Sequence, residues 1–201
     1  MARPGLSEQE TRDLIVNEAE KLFLRIGYRK TTIADIAKAC GFSTANVHRV
    51  FGTKSSINEA IAERMLADVI DRARAASCTG PSEADNFCAF VGSVHDDMLR
   101  MVEHRPEMNE MVAAAINERW GAVRRFRLEL LAILTEIVER GASTGAFRVD
   151  DPKRAARAAF MALKRLFHPL LISEMMEYAD EGVAEDLMPF LLRGLGAARA
   201  D

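Results

Sequence analysis

Apolar side chains recur every three or four positions along most of this chain, a spacing that places them on one face of an α-helix. The first periodic stretch opens at Ser7, where Glu10 completes a capping-box pattern, and it closes at Gly27. No stretch alternates apolar and polar residues for long enough to indicate a strand. The pattern therefore predicts an all-α protein of about nine helices.

The region 31–54 predicts two short helices joined by a tight turn. Thr32 and Asp35 form a second capping-box pattern, Gly41 suits a turn with a left-handed backbone, and Ser43 caps the second helix. The second helix is expected to bury Val47, Val50 and Phe51 and to expose Thr44, Ala45, Asn46, His48 and Arg49. This is the pattern of a helix-turn-helix, whose second helix fits a DNA major groove.

The remaining chain predicts about six further helices. A long helix over Lys54–Ala76 follows at once, so the domain boundary is expected near Gly52, with a helix-turn-helix domain at 1–52 and a helical domain at 53–201. Other helices are expected after Ser82, at Pro106, from about Trp120 to Gly141 or Gly145, from Asp151-Pro152 to about Phe167, and through Leu187 to Leu195. Pro169 and Pro189 are expected either to kink or to end their helices.

Charge is distributed unevenly along the chain. The 201 residues carry a formal net charge of −3, but residues 1–54 hold nine basic and six acidic side chains, which leaves −6 for the remainder. A basic N-terminal part on an acidic body suits an anionic partner that binds at one end.

The cysteines, the first residues and the apolar runs indicate in which cellular compartment the protein is expected. Cys40, Cys78 and Cys88 have no metal-ligand spacing, which indicates reduced thiols in the cytoplasm. Because the first residues are polar and charged, no secretory signal is expected. The apolar run near Phe160 is interrupted at Lys164, so no membrane span is expected. Neither a metal site nor a cofactor is expected.

The first quarter of the chain resembles the TetR family of one-component bacterial transcriptional regulators. The matching residues are Leu22-Phe23, Gly27-Tyr28, Thr32-Ile33, Ile36-Ala37, Gly41-Phe42-Ser43, Phe51, Lys54 and Ile57. The resemblance implies a three-helix DNA-binding domain followed by a helical domain for ligand binding and dimerisation. The sequence departs from the family at His48, where Tyr is usual, and also at Cys40 and Val50.

Double-stranded DNA is the expected partner of the helix-turn-helix. Donors near helix starts suit phosphate oxygens, and the candidates are Thr31, Thr32, Ser43, Thr44, His48 and Lys54. Base reading is expected from Asn46 on adenine, Arg49 on guanine, and Thr44 with the methyl group of Ala45. The alternatives stay open: Thr32 and Ser43 also cap helices, and Arg49 could be solvated or bound to phosphate. Lys54 and His48 could each be an ordinary surface residue.

The resemblance implies a homodimer formed by the last two long helices. The apolar residues offered for this surface are Ala155, Ala158, Ala159, Ala162, Leu163, Phe167, Phe190, Leu191 and Leu195. Two DNA-binding domains about one helical turn apart, ~34 Å, would then recognise a palindromic DNA sequence. The alternative is a monomer in which these residues form an ordinary core.

The middle helices are expected, again by resemblance, to enclose a small and largely apolar effector. The candidate lining residues are Phe90, Met98, Met101, Met111, Trp120 and Phe126. Methionine adapts to irregular apolar shapes, although such a stripe also suits a plain core. A ligand that disfavours the DNA-binding arrangement would relieve repression, and the two binding events would oppose each other mutually.

Three other functions have weaker support in the sequence. An enzyme is not expected, because no nucleophile elbow, phosphate-binding glycine loop or His-Glu-x-x-His pair is present, and His95 beside Asp96-Asp97 is the nearest candidate. A redox sensor would act through one of the three cysteines. A helical adaptor would lack DNA binding, which the basic N-terminal part argues against.

Overall fold

A computed structural model describes residues 6–104, 115, 121–177 and 182–197. Within these ranges the chain forms ten helices and no strand, which confirms the all-α prediction. The helices are α1 Glu8–Ile26, α2 Ile33–Cys40, α3 Thr44–Phe51, α4 Lys54–Ala76, α5 Glu83–His104, α6 Gly121–Thr144, α7 Pro152–Ala162, α8 Lys164–Phe167, α9 Pro169–Glu177 and α10 Val183–Gly194. The helix expected at Pro106 lies outside the described residues.

Both predicted capping boxes are confirmed. The Ser7 hydroxyl accepts from the Glu10 N–H at 3.2 Å, and the Glu10 carboxylate accepts from the Ser7 N–H at 2.7 Å. Thr32 and Asp35 make the same exchange at the start of α2. Hydrogen bonds from the Thr32 hydroxyl and then the Thr32 N–H lower the pKa of Asp35. These reciprocal bonds satisfy backbone donors that a helix start otherwise leaves unpaired.

The chain divides into two compact units, and the first contains residues 1–66 and 104–124. Its core includes Ile15, Ile36 and Val47 from the first three helices together with Ile57 and Ile61 from α4. Burial of these α4 residues is the reason why this unit extends beyond Gly52, into the middle of α4. The functional division at residue 52 stays a prediction.

An ionic contact also ties α4 to α1 within the first unit. Arg64 donates to the amide oxygen of Asn17 at 2.6 Å and to the carboxylate of Glu20. The N-terminal half of α4 is therefore part of the same packed body as the helix-turn-helix.

The second unit contains residues 67–103 and 125–201. Its fully buried residues include Phe87, Phe90 and Met98 on α5 and Leu130, Ile133, Leu134 and Ile137 on α6. Helix α6 continues past Gly141 and ends before Gly145, which has a φ of 77°. Gly141 is needed for another reason, because a Cβ at this position would collide with the Phe147 ring.

Arginine–carboxylate pairs hold the C-terminal half of α4 in the second unit. Asp97 on α5 is buried and accepts from Arg72 at 2.8 Å and from Arg100 at 2.7 Å. Arg140 on α6 donates to both carboxylate oxygens of Glu83 and to the Ser77 carbonyl, just beyond α4. Because Asp97 is buried, removing one arginine would leave its carboxylate with a single partner, and removing both would leave a buried charge without compensation.

The helix predicted from Pro152 to about Phe167 is divided in the structure. Asp151 caps α7 as expected, but α7 ends at Ala162 and a single turn, α8, follows. His168 is extended, with φ −114° and ψ 113°, because a residue before proline is disfavoured in the helical region. Pro169 then occupies the first position of α9, whereas Pro189 lies inside α10.

Much of the predicted dimer surface lies inside one protomer. Ala159, Leu163, Phe167, Leu191 and Leu195 are buried in the second unit. The apolar pattern of these short helices therefore serves the protomer's own core at these positions. The residues that remain accessible are Ala158, Ala162 and Phe190, with Met161 in addition and Ala155 half-buried.

Within the described ranges, no helix is both long and apolar enough to cross a bilayer.

The three cysteines are free thiols in different surroundings. Cys40 is buried, while Cys78 and Cys88 are exposed. Burial, and to a lesser extent Glu18, raises the pKa of Cys40 to about 11. Partial burial of the sulfur and then Asp85 also raise the pKa of Cys88. The thiolate is the reactive form, so these thiols should differ in reactivity.

We expect a thiol reagent to modify Cys78 first, Cys88 more slowly, and Cys40 only after unfolding. Timed alkylation of native protein followed by mass spectrometry of its peptides measures the order. Early labelling of Cys40 in native protein would contradict the packing of α2 against α1.

Candidate DNA-binding surface

The turn between α2 and α3 is fixed by backbone hydrogen bonds. Gly41 has a φ of 71°, a left-handed conformation that favours glycine, as predicted. The Phe42 N–H donates to the Ala37 carbonyl at 2.8 Å, and the Phe42 side chain is buried. This is the hydrogen-bond pattern of a glycine-ended helix with a hydrophobic residue after it. The direction of α3 is therefore set by α2.

Helix α3 has one buried and one exposed face. The hydroxyl of Ser43 accepts from the Asn46 N–H at 3.2 Å, so its predicted capping role is confirmed. Val47 and Phe51 are buried in the core of the first unit, whereas Val50, which was also predicted to be buried, is half-buried. The residues on the outward side are Thr44, Ala45, His48 and Arg49, which are exposed, and Asn46, which is half-buried. The structure thus brings together the residues predicted to read bases.

Two of the predicted base-reading side chains are bonded to each other. An Nη2 atom of Arg49 donates to the Oδ1 of Asn46 at 3.0 Å. The bond orients the Asn46 amide, whose two N–H donors remain on the opposite side of the group from Arg49. Removing either residue therefore changes the geometry of the other.

We expect Asn46→Ala and Arg49→Ala to act non-additively. Each should weaken binding to the cognate operator by about 1–3 kcal/mol, and the double variant should lose less than the sum, with a coupling of about 0.5–3 kcal/mol. Affinity titrations of the four proteins on one operator measure the coupling. Thr44→Ala combined with Arg49→Ala is the control pair. Additive losses for Asn46 and Arg49 would contradict a shared arrangement.

His48 has one ring nitrogen in use. Its Nδ1 lies 2.7 Å from the Gly52 carbonyl oxygen. A carbonyl oxygen only accepts, so we assign the hydrogen to Nδ1, which leaves Nε2 of the neutral ring as an acceptor. Donation from Nε2 to a phosphate therefore requires the protonated ring.

Lys54 has partners within the protein that compete with the predicted phosphate. Its ammonium group donates to the carbonyl oxygens of Tyr28 at 2.8 Å and Thr31 at 2.9 Å, and it lies 4.3 Å from the centre of the Tyr28 ring. A lysine has only three N–H donors. The structure therefore gives Lys54 a role that the sequence did not indicate, which is to tie the loop after α1 to the start of α4.

The two threonines before α2 also serve the fold. Thr31 is only 1% exposed and its hydroxyl donates to the Gly27 carbonyl at 2.8 Å. This burial argues against the predicted phosphate contact by Thr31. Thr32 is exposed, but its hydroxyl and its N–H both donate to the Asp35 carboxylate. A phosphate would have to replace that carboxylate.

The predicted effector-lining residues lie in the second unit where they are described. Phe90, Met98 and Phe126 are buried, and Met101 is half-buried. The Phe90 ring packs edge-on against Phe167, with centroids 5.9 Å apart. Met111 and Trp120 lie outside the described residues. A ligand-binding role for this set stays a prediction.

His95 and Asp97, which belong to the nearest candidate for a catalytic cluster in the sequence, are hydrogen-bonded within the protein fold. The Nδ1 of His95 lies 3.1 Å from the Leu166 carbonyl oxygen. Asp97 is bonded to Arg72 and Arg100. In the part of the chain that the structure describes, no group of three or more acidic, His or Cys side chains is arranged to hold a metal ion.

Both the N-terminal and the C-terminal part of the chain are similar in sequence to known proteins. Residues 15–61 match the family described as bacterial regulatory proteins, tetR family, and residues 84–187 match the tetracyclin repressor-like C-terminal domain. The HTH-type transcriptional repressor KstR2 of Rhodococcus jostii is 25% identical over 140 residues, which are 68% of this chain and 67% of that protein. The HTH-type transcriptional regulator TtgR of Pseudomonas putida is 24% identical over 180 residues, covering 82% and 81%.

Solved structures share the fold. A transcriptional regulator of the TetR/AcrR family from Thermobifida fusca has a TM-score of 0.66 at 23% identity, covering 91% of this chain and 97% of that one. The SmeT–triclosan complex has a TM-score of 0.61 at 20% identity, covering 92% and 90%. Bacillus subtilis FadR with stearoyl-CoA has a TM-score of 0.59 at 15% identity, covering 91% and 96%. The chain belongs to the TetR family of helix-turn-helix transcriptional regulators.

Proposed function

We propose that this chain is a repressor that binds a palindromic operator as a homodimer and is released by a small, largely apolar ligand. The observation that carries the proposal is the outward face of α3, where Ala45, His48 and Arg49 are exposed beside Asn46. Polar and small side chains on a helix supported from behind by a packed core suit a major groove.

Within this proposal the outward residues of α3 have separate roles. Asn46 and Arg49 read bases together, Ala45 contacts a thymine methyl group, and Thr44 contributes a hydroxyl. Ser43 caps α3 and lies at the helix start, where unpaired N–H groups favour a phosphate. His48 contacts phosphate when its ring is protonated. We assign residues 1–52 to DNA binding and residues 53–201 to ligand binding and dimerisation.

The dimer is supported by accessible apolar side chains on α7 and α10. Met161 and Phe190 are each 63% exposed, and Ala158 and Ala162 beside Met161 are exposed too. Exposed apolar side chains mark an interaction surface when they form a contiguous patch, and small neighbours such as Ala158 and Ala162 would let a partner helix approach closely. In a homodimer with a two-fold axis, the exposed faces of α7 and α10 in one copy would be covered by the same faces of the second copy.

Release by a ligand is supported by the continuity of α4. This helix begins in the first unit, where Ile57 and Ile61 are buried, and ends in the second, where Asp97 holds Arg72. A helix that contributes to both cores gives a change in one unit a route to the other. Two structural neighbours are complexes with triclosan and with stearoyl-CoA. In this chain the buried side chains of Phe90 and Met98 form an apolar interior that suits a largely apolar ligand.

The proposal is tested by selecting bound fragments from genomic DNA of the source organism with purified protein. We expect a recovered sequence with two-fold symmetry and half-sites about one helical turn apart, ~34 Å. Compounds that reduce retention of this fragment then identify the ligand class. Recovery of no fragment at low salt would refute the function, and an asymmetric single half-site would refute the dimer.

A further inference from the structure

Arg12 lies on α1, outside the helix-turn-helix, and its guanidinium stacks on a residue of α3. The Cζ atom of Arg12 lies 4.2 Å from the centre of the Phe51 ring. A contact with the face of an aromatic ring uses no hydrogen-bond acceptor, and a guanidinium has five N–H donors, so those that do not face the ring stay available to hydrogen-bond. Phe51 is the last residue of α3. The stacking therefore holds a positive charge at the C-terminal end of the helix that carries the base-reading residues.

The acidic neighbours of Arg12 are engaged elsewhere. Asp13 accepts from the side chain of Gln9 at 2.9 Å, and Glu10 accepts from the backbone of Ser7. Among the residues that the structure describes, no carboxylate forms an ion pair with Arg12. An arginine that is oriented by stacking and has no internal carboxylate is arranged to meet an external anion.

The same end of α3 carries a second group that suits phosphate in its protonated form. His48 is exposed one turn before Phe51, with its Nδ1 already bonded to Gly52. The sugar-phosphate strands border the groove that a helix enters, so a cation beside the helix end faces backbone and not base edges. We propose that Arg12 donates from its guanidinium edge to a DNA phosphodiester, with Phe51 setting its position. This inference rests on the proposed DNA binding by α3.

The experiment uses full-length protein and a mixed-sequence duplex of about three helical turns, because a phosphate contact needs no operator. Arg12→Met keeps apolar contact with Phe51 and removes the charge. We expect the slope of log K against log salt to shrink by about 0.9 and binding at low salt to weaken about tenfold. Arg12→Lys, which keeps the charge, should retain the slope.

Lys21→Met is the matched control. Lys21 is exposed and lies about two and a half turns beyond Arg12 on α1, on the opposite face of that helix. This variant should bind with the wild-type slope. Thermal melting of the same samples checks folding, and Arg12→Gln replaces Arg12→Met if the latter does not fold.

An unchanged slope for Arg12→Met, or for Arg12→Gln in its place, would overturn the inference and leave Arg12 with a purely structural role. An equal reduction by Lys21→Met would also overturn it, because the effect would then be one of net charge. A wild-type protein that does not bind the duplex at all would refute the proposed function, and with it the role of Arg12.

Discussion

Replacing Lys54 with Met is expected to lower the free energy of unfolding by about 2–4 kcal/mol and to leave the salt dependence of DNA binding unchanged. The ammonium group makes two short hydrogen bonds, to the Tyr28 and Thr31 carbonyl oxygens, and a long one of 3.5 Å to the Arg29 carbonyl, and it lies over the Tyr28 ring. Each hydrogen bond to a charged group contributes at most about 1.5–3 kcal/mol, and the cation–π contact about 0.5–1 kcal/mol. All of these contacts share one ammonium group, so their contributions are not additive and the expected loss is smaller than their sum. Urea titration followed by circular dichroism measures the loss.

Lys38→Met is the matched control for this prediction. Lys38 lies on α2 with its side chain exposed, so the same substitution should change the free energy of unfolding by less than about 0.5 kcal/mol. The two variants remove the same charge from the same unit. A Lys54 variant of wild-type stability with a salt slope reduced by about one unit would favour the phosphate role predicted from sequence.

Placing Glu at both Met161 and Phe190 is expected to separate the proposed dimer. Both side chains are mostly exposed in one protomer, so the substitutions should leave the fold intact. A carboxylate in an apolar interface is costly unless it gains a partner. A monomer can hold only one half-site, so operator affinity should fall by at least about a hundredfold. Analytical ultracentrifugation and operator titration measure the two effects.

Leu128→Glu is the control for this variant. Leu128 on α6 is 51% exposed and lies outside the two helices assigned to the interface. It should leave both the oligomeric state and the operator affinity unchanged. A double variant that remains dimeric, or a wild-type protein that sediments as a monomer at micromolar concentration, would contradict the assigned surface.

Local patterns in the sequence were sufficient to predict the helices and the turn that position the candidate DNA-binding residues. The capping residues Ser7, Thr32 and Ser43 act within three positions of their partners. Gly41 is required by one backbone angle. Such interactions depend on neighbours along the chain, so spacing alone indicates them. The outward face of α3 followed from the same short-range periodicity.

Contacts between residues far apart in the chain could not be predicted from these local patterns. Lys54 bonds to carbonyl groups more than twenty positions earlier, and a lysine at a helix start looks the same whether it faces a loop or a phosphate. Arg12 over Phe51 was missed for the same reason. Periodicity also cannot distinguish burial within a protomer from burial between two. Leu163 and Phe167 were therefore predicted at the dimer surface but lie in the core.

The proposed position of α3 in the major groove is tested most directly by methylation interference on the selected operator. Dimethyl sulfate modifies the guanine N7, which faces the major groove, and the adenine N3, which faces the minor groove. We expect guanine methylation in both half-sites to block binding, and Arg49→Ala to abolish this block at one guanine in each. Interference confined to adenine N3, or binding that is indifferent to methylation, would contradict major-groove recognition by α3.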